Sequence, residues 1–195
     1  ALTIQNADVT AENSIYSGDG VTVRAGSSSS ASLSVNGGSL PATGKSEHGA
    51  GIQYTFGGSS SGSGKPSLTV SGNAVVDAKN GGVANNSSSP IQYETGSDST
   101  GGIVFDGKNG TVYGSVTLQE DITIGEGESL TIPDGASLNT NGKLTVDGGT
   151  LTGDVTGTVN YKVTGVSLSP KTLSLNPGKE GTLTATITPS NATNQ

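Results

Sequence analysis

Apolar residues in this chain fall in short runs at every second position, as in Val21-Thr-Val23, Leu33-Ser-Val35, Leu68-Thr-Val70, Ile122-Thr-Ile124 and Leu144-Thr-Val146. A period of two sends one set of side chains to one face of an extended strand and the polar set to the other. The helical spacing of i, i+3 and i+4 is never sustained, so the pattern predicts an all-β chain of short strands. Gly, Asn and Asp stand between the runs, where turns need them.

The runs repeat. Leu33-Ser-Val-Asn-Gly-Gly-Ser-Leu40 returns as Leu68-Thr-Val-Ser-Gly-Asn-Ala-Val75 after 35 positions, and again as Leu144-Thr-Val-Asp-Gly-Gly-Thr-Leu151. A looser copy, Leu130 to Leu138, carries one extra residue in its turn. A second element, Ile-Gln-Tyr, ends at Tyr54 and at Tyr93, 39 positions apart. Two elements in fixed order make a supersecondary repeat, and one such unit cannot bury its own inward side chains. Stacking the units in parallel sets Leu33 over Leu68 and Val35 over Val70, with Ser and Thr columns outside. The expected fold is therefore a parallel β-helix, in preference to a sandwich built from matched hairpins with two-residue turns. Further along, Ile124, Leu130, Leu138, Leu144 and Leu151 come every six to eight residues, as successive faces of a compact coil would. Ser27 to Ser30 and Ser59 to Ser63 read as solvated loops leaving the coil.

Composition narrows the classes. Gly, Ser, Thr and Asn make up about half of the 195 residues, near the border of disorder, and it is the strand patterning that argues for a fold. No apolar run approaches the roughly 18 residues that would span a bilayer. Nine Lys and Arg against 16 Asp and Glu give a formal charge of −7, which opposes nucleic acid and anionic lipid. Without Cys there is no disulfide, thiolate nucleophile or Cys-zinc site. Ala1 in place of an initiator Met reads as the start of a matured product or a fragment.

The run L-x-V-x-G-G-S-L-x-A-T-G from Leu33, continuing to Ile52, resembles the Gly-rich right-handed β-helix repeats of large bacterial surface and secreted proteins. That resemblance implies pectin-lyase-like topology over residues 1–161 and a role in carbohydrate binding or adhesion. After Tyr161 the turns thin out and Pro170, Pro177 and Pro189 arrive. Gly165-Val-Ser-Leu-Ser-Pro170, the alternating Leu183 to Pro189 and Pro189-Ser-Asn-Ala-Thr193 closely resemble the opening of a group 2 bacterial immunoglobulin-like domain (BIG2). The expected fold class is thus all-β: a right-handed parallel β-helix over 1–161, then an incomplete immunoglobulin-like β-sandwich fragment over 162–195. Less than half of such a domain is present, so further domains of a parent chain are expected after Gln195; the alternatives are that the strands dock on the end of the helix or pair with another chain.

Catalytic chemistry is not evident. Arg24 is the single Arg, on an outward strand position, and His48 the single His, without the paired Asp residues a pectin hydrolase would add. Leu40-Pro-Ala-Thr-Gly44 spells a sortase signal, but the repeat already accounts for it. Glu120, Asp121, Glu126 and Glu128 lie within nine positions and are the candidate ligands for calcium; otherwise no cofactor is expected. Their alternative reading is a solvated turn rim. Asp19, Asp77, Asp106, Asp134 and Asp147 read mostly as turn formers.

Sugar rings stack on aromatic side chains, and the chain has five Tyr and two Phe. Tyr54, Tyr93, Tyr113 and Phe56 are the candidate ligand-binding residues, Tyr54 and Tyr93 being placed alike in the repeat; strand alternation also allows the pair to be core. The functional expectation is a noncatalytic, extracellular or cell-surface bacterial module binding a polysaccharide or host glycan, with no membrane insertion. A polysaccharide lyase or glycoside hydrolase and a plain structural stalk are the alternatives.

Overall fold

The computed structural model describes residues 2–5, 11–12, 18–44, 49–57 and 62–193. Among these residues there is no helix, and the strands are mostly parallel. The chain visits three sheets in rotation. Its first circuit is β1 (Leu2–Gln5), β2 (Ala11–Glu12) and β3 (Val21–Ala25). The second is β4 (Ser30–Asn36), β5 (Ser39–Thr43) and β6 (Ile52–Phe56). The third is β7 (Lys65–Ser71), β8 (Ala74–Ala78) and β9 (Val83–Asn85), and β10 (Gln92–Thr95) and β11 (Gly102–Asp106) begin a fourth. Each strand pairs in parallel with its counterpart one circuit on. Leu33 lies over Leu68 and Val35 over Val70, the expected register. These side chains are fully or almost fully buried, while Ser34 and Thr69 between them are only half-buried. Leu40, from the sortase-like run, is a buried residue of β5.

At Asp106 the rotation breaks. β11 turns into β12 (Asn109–Tyr113) through Gly107-Lys108, and the two strands run antiparallel. Gly107 sits first in the turn at φ 58°, a left-handed conformation that primed hairpin turns require and that Gly adopts without strain. Phe105 faces Gly110 across the hairpin, and a Cβ on Gly110 would stand 2.5 Å from its ring. From β12 a second rotation runs through β13 (Ser115–Thr117), β14 (Ile122–Ile124), β15 (Ser129–Thr131), β16 (Ser137–Asn139), β17 (Leu144–Val146) and β18 (Thr150–Thr152). It ends with β19 (Val155–Thr156) and β20 (Val159–Tyr161). Ile124, Leu130, Leu138, Leu144 and Leu151 occupy successive strands, as their spacing predicted.

One sheet joins the two bodies, with strand order β18-β15-β12-β11-β8-β5-β2. Its faces belong to different cores. Ala74, Val76, Ala78 and Val104 pack into the first core with Leu33, Leu68 and Tyr54. Val75, Ile103, Phe105 and Val112 pack into the second with Leu130 and Leu138. Strands covered on both faces need apolar residues at consecutive positions, which is why Ala74-Val-Val76 and Ile103-Val-Phe105 abandon alternation.

The last two strands, β21 (Gly165–Ser169) and β22 (Thr184–Thr188), pair antiparallel with each other alone. The segment returns to the second body where the Thr193 amide donates to the Tyr161 carbonyl at 2.9 Å and Ala192 is buried. A cavity of about 260 Å³ lies at that junction, between Val146 and Leu151 on one side and Pro189 and Asn191 on the other.

Candidate aromatic binding site

The four aromatic candidates separate. Tyr54 and Phe56 lie on β6 in the third sheet of the first body, and both are fully buried. The Tyr54 hydroxyl donates to the Ser67 carbonyl at 2.7 Å, and burial pushes the phenol pKa well above its usual value. Gly64 touches the Phe56 ring, where a Cβ would clash. Neither ring has surface to give a ligand.

The expected equivalence of Tyr54 and Tyr93 is corrected by the register. Tyr54 pairs with Val23 and Asn85, whereas Tyr93 pairs with Leu68 on β7 in the first sheet. The two Ile-Gln-Tyr elements therefore occupy different sheets, because the third circuit is shorter than the second. Leu33 to Leu68 spans 35 residues and Leu68 to Tyr93 only 25.

Tyr93 stacks instead on Tyr113, with ring centroids 5.3 Å apart and planes 15° from parallel. Both point to the first-core side and rest, half-buried, on its last circuit, beyond the end of the third sheet at β9. Backbone geometry brings them there. Tyr93 continues the inward column of Leu33 and Leu68, and Tyr113 lies opposite Gly102 on the hairpin. Gly102 itself lets β11 close on Val70, whose Cβ would be 2.7 Å from any added Cβ.

Asp106 completes the group. One carboxylate oxygen accepts the Val83 amide at 2.8 Å, fixing the third sheet's last strand; the other accepts the Tyr93 hydroxyl at 3.3 Å. Burial raises the Tyr93 phenol pKa well above its usual value, and the Asp106 charge adds to this. Burial likewise raises the Tyr113 phenol. Both rings thus stay neutral hydrogen-bond donors across the physiological range, with an exposed carboxylate beside them. An apolar ring pair flanked by a hydrogen-bond acceptor is what a sugar needs, since its axial C–H face stacks and its hydroxyls bond.

The acidic candidates are dispersed. Glu128 accepts from Lys79 at 3.0 Å and from the Gly125 amide at 2.9 Å. Burial opposes its ionised form but is outweighed by the Gly125 amide and by Lys79 and Lys108, so its pKa lies below the ordinary glutamate value. Asp121 is 3.6 Å from Lys143, Glu120 is also engaged, and Glu126 is exposed at a turn. Among the described residues no three carboxylate or imidazole groups converge as metal ligands. His48 lies outside the described residues, as do Ser59 to Ser61 of the second Ser-rich loop. Arg24 is exposed on β3.

One feature escaped sequence reasoning. Lys79 leaves β8 and stands 4.5 Å over the Phe105 ring, pairs with Glu128 and donates to the Thr123 carbonyl at 3.2 Å. It ties β8 of the shared sheet to the second body. Beside it a groove of about 160 Å³ runs between Asp77, Asp121 and Ile122. The charged groups here already have partners: an Asp77 oxygen accepts the Lys79 amide, and Lys79 and Asp121 are in ion pairs. The groove therefore holds a structural tether and not an uncommitted acid–base pair. No protein-family model matches the chain, and comparison with curated proteins and with solved structures gives no match.

Proposed function

We propose that this chain is a noncatalytic binding module of a bacterial cell-surface or secreted protein, and that it holds carbohydrate on the Tyr93–Tyr113 pair. The carrying observation is the stacked, half-buried pair with Asp106 at its edge. The sheet rotation supports reading both bodies as parallel β-helices of the Gly-rich bacterial kind. Across the hairpin the strand direction reverses and the core changes face; the two reversals cancel, so both bodies turn with one hand. The crossover rule for parallel strands supports a right hand for both. Residues 162–195 are then the opening of a BIG2-like domain.

The ligand class follows from charge. The chain carries −7, Asp106 borders the rings, and Asp98 is exposed on the turn that follows the strand of Tyr93. A polyuronate would meet repulsion there, so the reading selects neutral polysaccharides, whose hydroxyls can donate to Asp106. Binding and product release on an array of neutral and acidic polysaccharides test this, with wild type beside Tyr113→Ala. The expected result is binding to neutral glycans, weakened in the variant, with no ends released. Released reducing or unsaturated ends would contradict the reading in favour of a lyase or hydrolase, and silence on every glycan would leave a structural stalk.

A further inference from the structure

The chain has no Cys, Met or Trp. Its five Tyr are therefore the side chains that most readily lose an electron to an oxidant, and no disulfide can brace the fold. Tyr54 is fully buried with its hydroxyl on the Ser67 carbonyl, and Tyr161 stands on β20 in the second body. Among the described residues only Tyr93 and Tyr113 stack on each other. Their planes are 15° from parallel and their centroids 5.3 Å apart. The hydroxyl ends lie on the same side, because the Asp106 charge acts on both phenols and the Tyr93 phenol also feels that of Tyr113. The ring carbons beside the two hydroxyls thus share one edge of the stack. Asp106 accepts from the Tyr93 hydroxyl at 3.3 Å, so it is placed to receive the proton that a phenol releases as it loses an electron. Both residues are half-buried, which leaves ring edge within reach of an oxidant in solvent.

A bond between the rings would join what the backbone leaves apart. β10 is the edge strand of the four-stranded sheet and β12 belongs to the seven-stranded one, so no ladder of amide hydrogen bonds connects them. We propose that Tyr93 and Tyr113 form an oxidative modification site, at which a one-electron oxidant of the haem peroxidase class, working on hydrogen peroxide, links them as dityrosine and staples β10 to the hairpin over the end of the first core. Each phenol gives up one electron and its proton. The two phenoxyl radicals form one carbon–carbon bond between the positions beside the hydroxyls, and the hydrogen on each of those carbons moves to the phenol oxygen, which restores both rings. The two electrons and two protons reduce one hydrogen peroxide to two waters. The bond closes a loop from residue 93 to residue 113 and restricts the unfolded chain as a disulfide of that span does. The inference stands on the ring geometry and the composition and does not require a glycan.

Treatment of the dilute full chain with a haem peroxidase and limiting hydrogen peroxide tests this, read by dityrosine fluorescence of the monomer fraction, peptide mapping and thermal melting. The monomer is expected to gain fluorescence, to yield a linked peptide pair carrying Tyr93 and Tyr113, and to melt several degrees higher than the untreated chain. Tyr113→Phe keeps the ring and the stack but has no phenol to oxidise. Its monomer should lose nearly all of that fluorescence, and its melting should not respond to the oxidant. A monomer without dityrosine, a link that maps to another pair, fluorescence retained by Tyr113→Phe, or a linked monomer that melts no higher would overturn the proposal.

Discussion

At the scale of single residues, Tyr113 and Lys79 serve different ends. Tyr113→Ala removes one ring of the half-buried stack and leaves the buried column of Leu33 and Leu68 intact. Its melting temperature should fall by a few degrees at most, while glycan binding weakens by about 1–3 kcal/mol, the worth of one aromatic stacking contact. Titration calorimetry beside thermal melting separates the two effects. Lys79→Met strips Glu128 of its partner and Phe105 of its cation. The pair is about four-fifths buried, so the loss should be about 1–3 kcal/mol in chemical denaturation.

The same pair sets an acid limit. Glu128 titrates below its ordinary value in the folded chain. Its contribution is therefore fully present above the unfolded value of about 4.3 and is lost as pH falls through the lower folded value. Melting temperatures of wild type and Lys79→Met should accordingly converge as pH drops from about 7 to about 3. A gap that stays constant through that window would mean that the pair contributes nothing dependent on Glu128 ionisation. None of this was legible beforehand. Lys79 and Glu128 are 49 positions apart, and neither alternation nor turn chemistry links them.

At the scale of elements, alternation and repeat placed the inward columns correctly because period-two patterning and a constant turn fix register together. Val70, fully buried between Val35 and Thr95, is the clearest case. Val70→Asp should abolish cooperative melting of the first body by burying an unpaired carboxylate, which circular dichroism would read directly. What alternation could not reveal was the hairpin. Its signal was present in Gly107-Lys108 between two five-residue strands and in the unbroken apolar runs of β8 and β11, but a chain read as one continuous rotation has no place for a reversal. Gly107→Val forces a β-branched residue to φ 58° and should cost about 1–3 kcal/mol, measurable by urea denaturation. Likewise, the spacings of 35 and 39 between repeat elements already disagreed. That mismatch is the trace of circuits of unequal length, and it carried Tyr93 into a different sheet from Tyr54.

At the scale of the whole molecule, two bodies lie on opposite faces of one seven-stranded sheet, and the first ends in an aromatic lid. Such a lid shields the last circuit's core from water and still presents ring surface beside a carboxylate, so under the proposed function stability and recognition would meet in the same residues. Sequence reasoning named Tyr93 and Tyr113 but could not pair them, because their contact depends on the hairpin folding back over the first core. Ring-labelled tyrosine NMR, titrated with a pool of neutral oligosaccharides, tests the central claim most directly. The account predicts that the Tyr93 and Tyr113 ring signals shift together and saturate while the buried Tyr54 signal stays in place. Stationary Tyr93 and Tyr113 signals, with binding detected elsewhere or not at all, would contradict it.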